Sequence, residues 1–209
     1  MNNTEFDDDF WKMILISAPS GSGKTTLAKY LVEQIPDLKF CVSDTTREPR
    51  TDEKHGKDYY FTYPDIFQEK IKKDEFVEWE EVYPGLYYGT SKMEIFGIRY
   101  VNKIPILDID VKGAVSIKKM YQQGCFSIFI EPPSIEELEK RLRERSTDSP
   151  EKIEERLNKA SSELEFYQNN KELFDITITN EDLSKAKQEI LEKVNEYLND
   201  NLQNRRSRM

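Results

Sequence analysis

The sequence predicts an α/β fold, a parallel sheet flanked by helices. Three observations predict it. Short apolar runs alternate with helical patterns along most of the chain, the order that builds parallel sheets. The first run, Met13-Ile-Leu-Ile16, opens into a glycine-rich loop and then an amphipathic helix. A long stretch rich in tyrosine and charge, 44–94, interrupts the alternation and reads as an insertion.

The elements follow in order. Residues 1–12 predict a mobile acidic leader, with Glu5 and Asp7 to Asp9. A buried strand at 13–17 leads to a helix at 24–35, in which Leu27, Leu31 and Ile35 share a face and Pro36 is the stop. Further strands are expected at 39–43, 104–110, 126–130 and 176–179. Within the insertion, 58–63 and 76–82 read as strands outside the main sheet, with a short helix at 66–73 between them. Ser134-Ile-Glu-Glu137 is a capping box that starts a helix carrying Leu138 and Leu142 on one face. The 146–150 segment breaks that helix. Ser149 is the expected N-cap of the next one, with Pro150 at its first position and Ile153, Leu157, Ala160, Leu164 and Tyr167 as its apolar stripe. A helix, a break and a helix armed with arginine suit a closing lid at about 135–171. The last helix is expected at 183–198, followed by a basic tail at 200–209. The expected organisation is one domain over 13–209, its core formed by 13–43, 95–134 and 172–199.

The loop after the first strand carries chemistry. Gly21 and Gly23 let backbone N–H groups converge on phosphate without a Cβ in the way. The following helix offers its positive end to the same anion. Lys24 can reach β- and γ-phosphates, and the Thr25 hydroxyl can ligate Mg²⁺. Strand, glycine loop, Lys-Thr and helix together make a P-loop. Ala18 stands where the strict pattern begins with glycine.

Composition narrows the function. The chain of 209 residues has 40 acidic and 31 basic side chains, a net charge of −9. That excludes a general nucleic-acid binder and gives a membrane surface nothing to hold. No stretch has the length of a membrane span, and the acidic N-terminus does not read as a signal peptide, so a cytoplasmic enzyme is expected. Cys41 and Cys125 fall inside apparent buried strands, and the single His55 excludes a poly-histidine metal site. The ten arginines cluster, which suits local anion binding.

Further constellations follow the P-loop. Arg47 and Arg50, with Tyr59, leave the second strand on the rim where the P-loop opens, and can hold a phosphate dianion. Glu78 sits in Phe76-Val-Glu-Trp79, where alternation does not decide its face. A fixed carboxylate there can accept two hydrogen bonds from guanine and repels adenine, which offers an acceptor instead. Tyr88 and Thr90 supply hydroxyls to phosphate and base. Asp108 and Asp110 end a buried strand near the P-loop, where carboxylates orient Mg²⁺-bound water or a substrate. Capping of the following turn is the other reading.

Taken together the motifs resemble guanylate kinase, a nucleoside monophosphate kinase family of the P-loop NTPase type. The matching pieces are Ser17-Ala-Pro-Ser-Gly-Ser-Gly-Lys-Thr25, Thr45-Thr-Arg-Glu-Pro-Arg50, His55-Gly-Lys-Asp-Tyr59, Phe76-Val-Glu-Trp79 and Tyr87-Tyr-Gly-Thr90. Leu107-Asp-Ile-Asp110, Phe129-Ile-Glu-Pro-Pro-Ser134, Arg141-Leu-Arg-Glu-Arg145 and Asn180-Glu-Asp182 continue the series in family order, over about 13–195. The resemblance implies that 44–94 is a mixed α+β GMP-binding insertion. It implies that Ala18, Pro19, Ser20, Gly21, Ser22, Gly23, Lys24, Thr25, Thr26 and Asn180 bind ATP, Asn180 near the adenine. Arg47, Arg50, Tyr59 and Tyr88 would hold the GMP phosphate, while Ser43, Glu78, Thr90 and Asp108 would read guanine. Lys24, Arg47, Arg141, Arg145 and Arg156 would serve catalysis, with Mg²⁺ on Thr25 and Asp110 as a holder of metal-bound water.

Three departures from the family pattern stand out: Val111-Lys112, Ser146, and one extra residue within 83–86. None removes a group that the chemistry needs. The implied reaction is ATP + GMP ⇌ ADP + GDP. A guanylate-kinase-like phosphopeptide-binding module would have a degraded P-loop, whereas Lys24 and Thr25 are intact here. A kinase for another nucleoside monophosphate would lack the use for Glu78. The residues leave open dGMP as a second acceptor, and a monomer against a homo-oligomer.

Overall fold

The computed structural model describes residues 12–144 and 149–206. Arg145, Ser146 and the leader up to residue 11 lie outside the described residues. β1 (Met13–Ser17) is buried along its whole length. It runs parallel to β7 (Ile104–Ile109) on one side and to β8 (Cys125–Glu131) on the other. β2 (Leu38–Phe40) and β9 (Ile176–Thr179) complete a five-stranded parallel sheet in the order β2-β7-β1-β8-β9.

Alternation along these strands explains the layers. Met13 and Leu15 point to one face and pack with Leu107, Ile109 and Phe129. That face is covered by α3 (Lys92–Tyr100), α4 (Val111–Tyr121) and Tyr167 of α6 (Pro150–Gln168). Ile14 and Ile16 point the other way, onto α1 (Lys24–Gln34) and α7 (Leu183–Arg206). A parallel sheet buried on both faces needs apolar residues at every position of its central strand, which is what β1 supplies.

A second sheet is built from residues 44–91. β3 (Asp44–Thr45), β4 (Tyr60–Phe61), β5 (Phe76–Tyr83) and β6 (Leu86–Ser91) are ordered β4-β3-β6-β5. α2 (Pro64–Lys72) seats Phe67 against Phe76 and Tyr87, with ring centroids 4.4 and 5.3 Å apart. Beyond β8, α5 (Ile135–Glu144) is capped by Ser134, whose Oγ accepts from the Glu137 N–H at 3.2 Å; the Glu137 carboxylate does not close the expected capping box but accepts from Arg141. Leu138 and Leu142 pack on Ile153 and Ala160 of α6. Ser149 caps α6, accepting from the Lys152 N–H.

Several expectations shift. The strand expected at 39–43 ends at Phe40, because the chain there leaves one sheet for the other. The Cys41 N–H still bonds Ile106 O, but the Ser43 carbonyl already accepts from Tyr60 N in the second sheet. Cys41 is therefore buried outside a strand, whereas Cys125 opens β8. The strand expected at 58–63 is two residues long, since it pairs only with the equally short β3. β6, α3 and α4 are not individually readable from the sequence pattern. α7 continues to Arg206, because no glycine or proline follows Leu198 to stop it. No helix among the described residues is long and apolar enough to cross a membrane.

Candidate active site

The loop between β1 and α1 has the backbone that its glycines allow. Gly21 and Gly23 have φ of 93° and 90°, in the left-handed region. Space excludes a side chain as well: a Cβ on Gly21 would come within 2.9 Å of Leu138 Cδ1, and one on Gly23 within 2.5 Å of Asn180 Nδ2. Ala18 needs no glycine. Its φ is not positive, and its methyl is buried in the core beside Ile16. Gly23 is the N-cap of α1 and brings no capping side chain, so the first N–H groups of the helix are left for an anion.

Asp108, near the end of β7, faces this loop. Its Oδ1 lies 2.9 Å from Lys24 Nζ, and its Oδ2 accepts a hydrogen bond from the Thr25 hydroxyl. Lys24 also donates to the Ile109 carbonyl at 2.8 Å. Burial alone would push the Lys24 ammonium down. The charge and hydrogen bond of Asp108 outweigh it and hold the group above its ordinary value.

A second cationic cluster stands across the cleft. Arg47 donates Nε to the Tyr88 hydroxyl at 3.2 Å and lies over the Tyr59 ring, 5.4 Å from its centroid. Its Nη2 reaches both oxygens of Glu53 at 2.8 Å, a charge-assisted contact through which Glu53 fixes the guanidinium. Glu53 Oε2 also accepts from the Arg50 N–H at 2.9 Å.

Glu78 lines the same cleft. A register shift between Phe76 and Glu78 breaks alternation, and Phe76, Val77 and Glu78 are all buried. Bulges of this kind re-aim a side chain. Burial pushes the Glu78 carboxyl up to about 7, against the pull of the Thr90 hydroxyl and with the push of Asp110. Gly113, at the start of α4, lies against it: a Cβ there would be 2.9 Å from Glu78 Oε2 and 3.5 Å from Asp110 Oδ1. Asp110 is the N-cap of α4 and accepts from the Gly113 N–H at 2.7 Å.

All of this opens on one cleft of about 560 Å³. Ala18, Pro19, Ser20, Gly21, Gly23 and Lys24 line one end, and Ser43, Arg47, Arg50, Tyr59, Glu78 and Tyr88 the other. Asp108 and Asp110 line it as well, Asp108 in contact with Lys24, and α6 contributes Arg156. Other expected site residues stand apart from the lining. Ser22 is buried, while Thr25 and Thr26 are exposed on the first turn of α1. Thr90 is buried behind Glu78. Arg141 is held to the Asn180 carbonyl at 2.9 Å and to Glu137 at 3.1 Å. Asn180 is buried beneath the P-loop, its Nδ2 donating to Ser22 O at 2.8 Å.

Sequence reasoning missed Glu53, Lys152, Lys159 and Glu163, of which the last three line the cleft. Lys152, Arg156, Lys159 and Glu163 recur at helical spacing and form one face of α6, a signal that periodicity could have supplied. Burial pushes the Glu163 carboxyl up, against the pull of Lys159 and Lys24.

The cleft brings a phosphate-type loop, a cluster of arginines and a buried carboxylate together. A family model described as guanylate kinase matches residues 11–200. The chain is 47% identical over 188 residues to the guanylate kinase of Bacteroides thetaiotaomicron, covering 90% of each chain. It is 44% identical to that of Porphyromonas gingivalis, covering 90% of this chain and 98% of the relative. The crystal structure of guanylate kinase from Anaplasma phagocytophilum superposes with a TM-score of 0.68 at 31% identity, covering 88% of this chain and 84% of that one. From loop to last helix, therefore, this chain belongs to the guanylate kinase family.

Proposed function

We propose that this cleft transfers the γ-phosphoryl group of ATP to GMP, giving ADP and GDP. The observation that carries the reading is Glu78, a buried carboxylate lining the same cleft as the P-loop and the Arg47 cluster. Its ionised form accepts from the N1–H and 2-amino groups of guanine, and it meets an acceptor on adenine. The P-loop amides and Lys24 would bind the β- and γ-phosphates of ATP. Arg47, Arg50, Tyr59 and Tyr88 would take the phosphate of GMP.

The two aspartates divide these tasks differently from the sequence-based expectation. Asp108 touches Lys24 and Thr25, which supports a role at the phosphate end. Asp110 converges with Glu78 on Gly113, which supports a role at the base. Ser43 lines the acceptor end of the cleft, and Thr90 acts on the base through Glu78.

The donors present suit Mg²⁺. The Thr25 hydroxyl and the Asp108 carboxylate are hard oxygen ligands beside a phosphate loop. Among the described residues no group of three His, Cys, Asp or Glu side chains could hold a metal, which fits an ion completed by phosphate and water. When bound, Mg²⁺ would neutralise charge on the β- and γ-oxygens. Thr25 would hold it, and Asp108 would orient its water.

No general base is needed, because the attacking phosphate oxygen of GMP is already ionised at neutral pH. The only histidine, His55, is engaged in its own loop, its Nδ1 accepting from the Phe61 N–H at 3.2 Å. Catalysis then rests on positioning and on charge neutralisation by Lys24, Arg47 and Arg156. The pair α5–α6 would close as a lid and exclude water. Arg141, tied to Asn180, would brace the donor side. Arg145 remains a candidate clamp outside the described residues. A coupled assay of ADP release with GMP, AMP, UMP and dTMP tests the reading. GMP is expected to outperform the others, and a preference for AMP or UMP would overturn it.

A further inference from the structure

Glu94 lies on the first turn of α3, outside the cleft, and belongs to none of the expected site residues. Its own N–H is capped by Ser91 Oγ at 3.2 Å, which fixes where its side chain starts. The carboxylate then bridges two separate segments. Oε1 accepts from the Val42 N–H at 3.2 Å, and Oε2 accepts from the Tyr60 hydroxyl at 3.1 Å.

Both partners adjoin cleft residues. Val42 precedes Ser43, and Tyr60 follows Tyr59. Ser43 and Tyr59 both line the acceptor end. The two segments also meet each other, since the Tyr60 N–H donates to Ser43 O at 2.9 Å. Val42 falls between β2 and β3, where the chain passes from one sheet to the other; Cys41 before it still bonds Ile106 and Ser43 after it already bonds Tyr60, while the Val42 N–H itself is taken by Glu94. One carboxylate therefore ties the crossover at Val42 to Tyr60 of β4, beside the backbone bond that joins Ser43 to Tyr60.

We propose that Glu94 is a positioning residue for the acceptor nucleotide, holding Ser43 and Tyr59 at the spacing that GMP requires. The inference rests on the reading of this cleft as the GMP site. Glu94 does not touch the donor end, so its loss acts on one substrate only.

The test is Glu94→Ala, with Glu94→Gln and Tyr60→Phe beside it. GMP binding to the protein without ATP is measured by calorimetry, and KM for each substrate by the coupled assay. Glu94→Ala is expected to weaken GMP binding about tenfold, with kcat and the KM for ATP changed less than about twofold. Glu94→Gln keeps an oxygen for Val42 and offers an amide to the Tyr60 hydroxyl, so it is expected to restore GMP binding to within about threefold of the parent. Tyr60→Phe removes only the Oε2 bond and is expected to cost about threefold, which carries the comparison if the alanine variant does not fold. A lower melting temperature with unchanged GMP affinity would overturn the inference, because it would leave Glu94 a merely structural role. A parent protein that binds no GMP would overturn both the cleft reading and the inference. A parent that binds GMP as tightly as all three variants would overturn the inference alone.

Discussion

Thr90 stands directly opposite Glu78 in the β5–β6 ladder and donates its hydroxyl to Glu78 Oε1 at 2.7 Å. The bond occupies one carboxylate oxygen and leaves Oε2 beside Gly113. Burial still dominates, and the carboxyl reaches about 7. The group is thus balanced between a neutral form that burial favours and an ionised form that suits guanine.

The balance has a consequence for stability. The folded protein binds the Glu78 proton more tightly than the unfolded chain, where the ordinary value is 4.5. Stability therefore falls as pH rises from about 4.5 to about 7 and is level on either side of that window. The full effect is about 3 kcal/mol. Glu78→Gln has no such proton, so urea unfolding should show the parent losing about 3 kcal/mol relative to the variant between pH 4 and pH 8. A constant difference would refute the buried, protonated carboxyl.

On the proposed reading of Glu78 as the guanine contact, the same proton would govern the acceptor. Guanine needs the ionised form, so GMP affinity should fall below about pH 7, approaching tenfold per pH unit. Glu78→Gln should bind GMP more weakly at pH 8, by about 1–3 kcal/mol, and show a flatter pH profile. Calorimetric titration of GMP across pH checks both, and parallel profiles would count against the assignment.

Asp108 and Asp110 can be separated by substitution. Asp108→Asn should lower kcat/KM by about 10- to 100-fold and raise the Mg²⁺ concentration needed, with the preference for GMP over AMP unchanged. Asp110→Asn should act on the GMP KM and on that preference. If Asp108→Asn relaxed base discrimination instead, the division of roles drawn from their contacts would be wrong.

The main sheet is legible in the sequence because the apolar runs are long and continuous, as in Met13–Ser17. The P-loop is legible because its glycines and Lys24 are local in sequence. The two aspartates are not separable, because alternation puts residues two apart on one face. Asp110 escapes that rule, since β7 ends at Ile109 and the start of α4 sets its direction. Glu78 is ambiguous for a similar reason: a bulge decides its burial, and a bulge leaves no mark in one strand's pattern. Glu53 and Glu94 act through partners that chain folding alone brings near, across 6 and 52 residues.

Glycine positions give a paired test. Gly113→Ala would place a methyl 2.9 Å from Glu78 Oε2 and force that carboxylate to move. The expected result is a raised GMP KM with an unchanged ATP KM. Gly97 is exposed in the middle of α3, and a Cβ added there would meet nothing within 4 Å. Gly97→Ala should therefore leave kinetics alone and add about 1 kcal/mol of stability. Equal kinetic behaviour of the two variants would show that the contact with Glu78 does not matter.

Asn180 supplies the sharpest contrast between a base contact and a brace. The resemblance implies a place near the adenine, yet its Nδ2 holds Ser22 O at 2.8 Å from beneath the loop. Its backbone is fixed on both sides, the N–H donating to Glu131 O at 2.9 Å and the carbonyl accepting from Arg141. Its Oδ1 is buried with no hydrogen-bond partner among the described residues, so the side chain is held by the loop alone. Asn180→Ala removes the brace and leaves the Ser22 carbonyl unpaired, a loss of about 1–3 kcal/mol. A loosened P-loop affects the phosphates, which all donor nucleotides share. KM should therefore rise by the same factor for ATP and for ITP, which differ only at the base. If the ATP-to-ITP ratio collapsed while the KM for ITP stayed fixed, Asn180 would be reading adenine and the brace would be incidental.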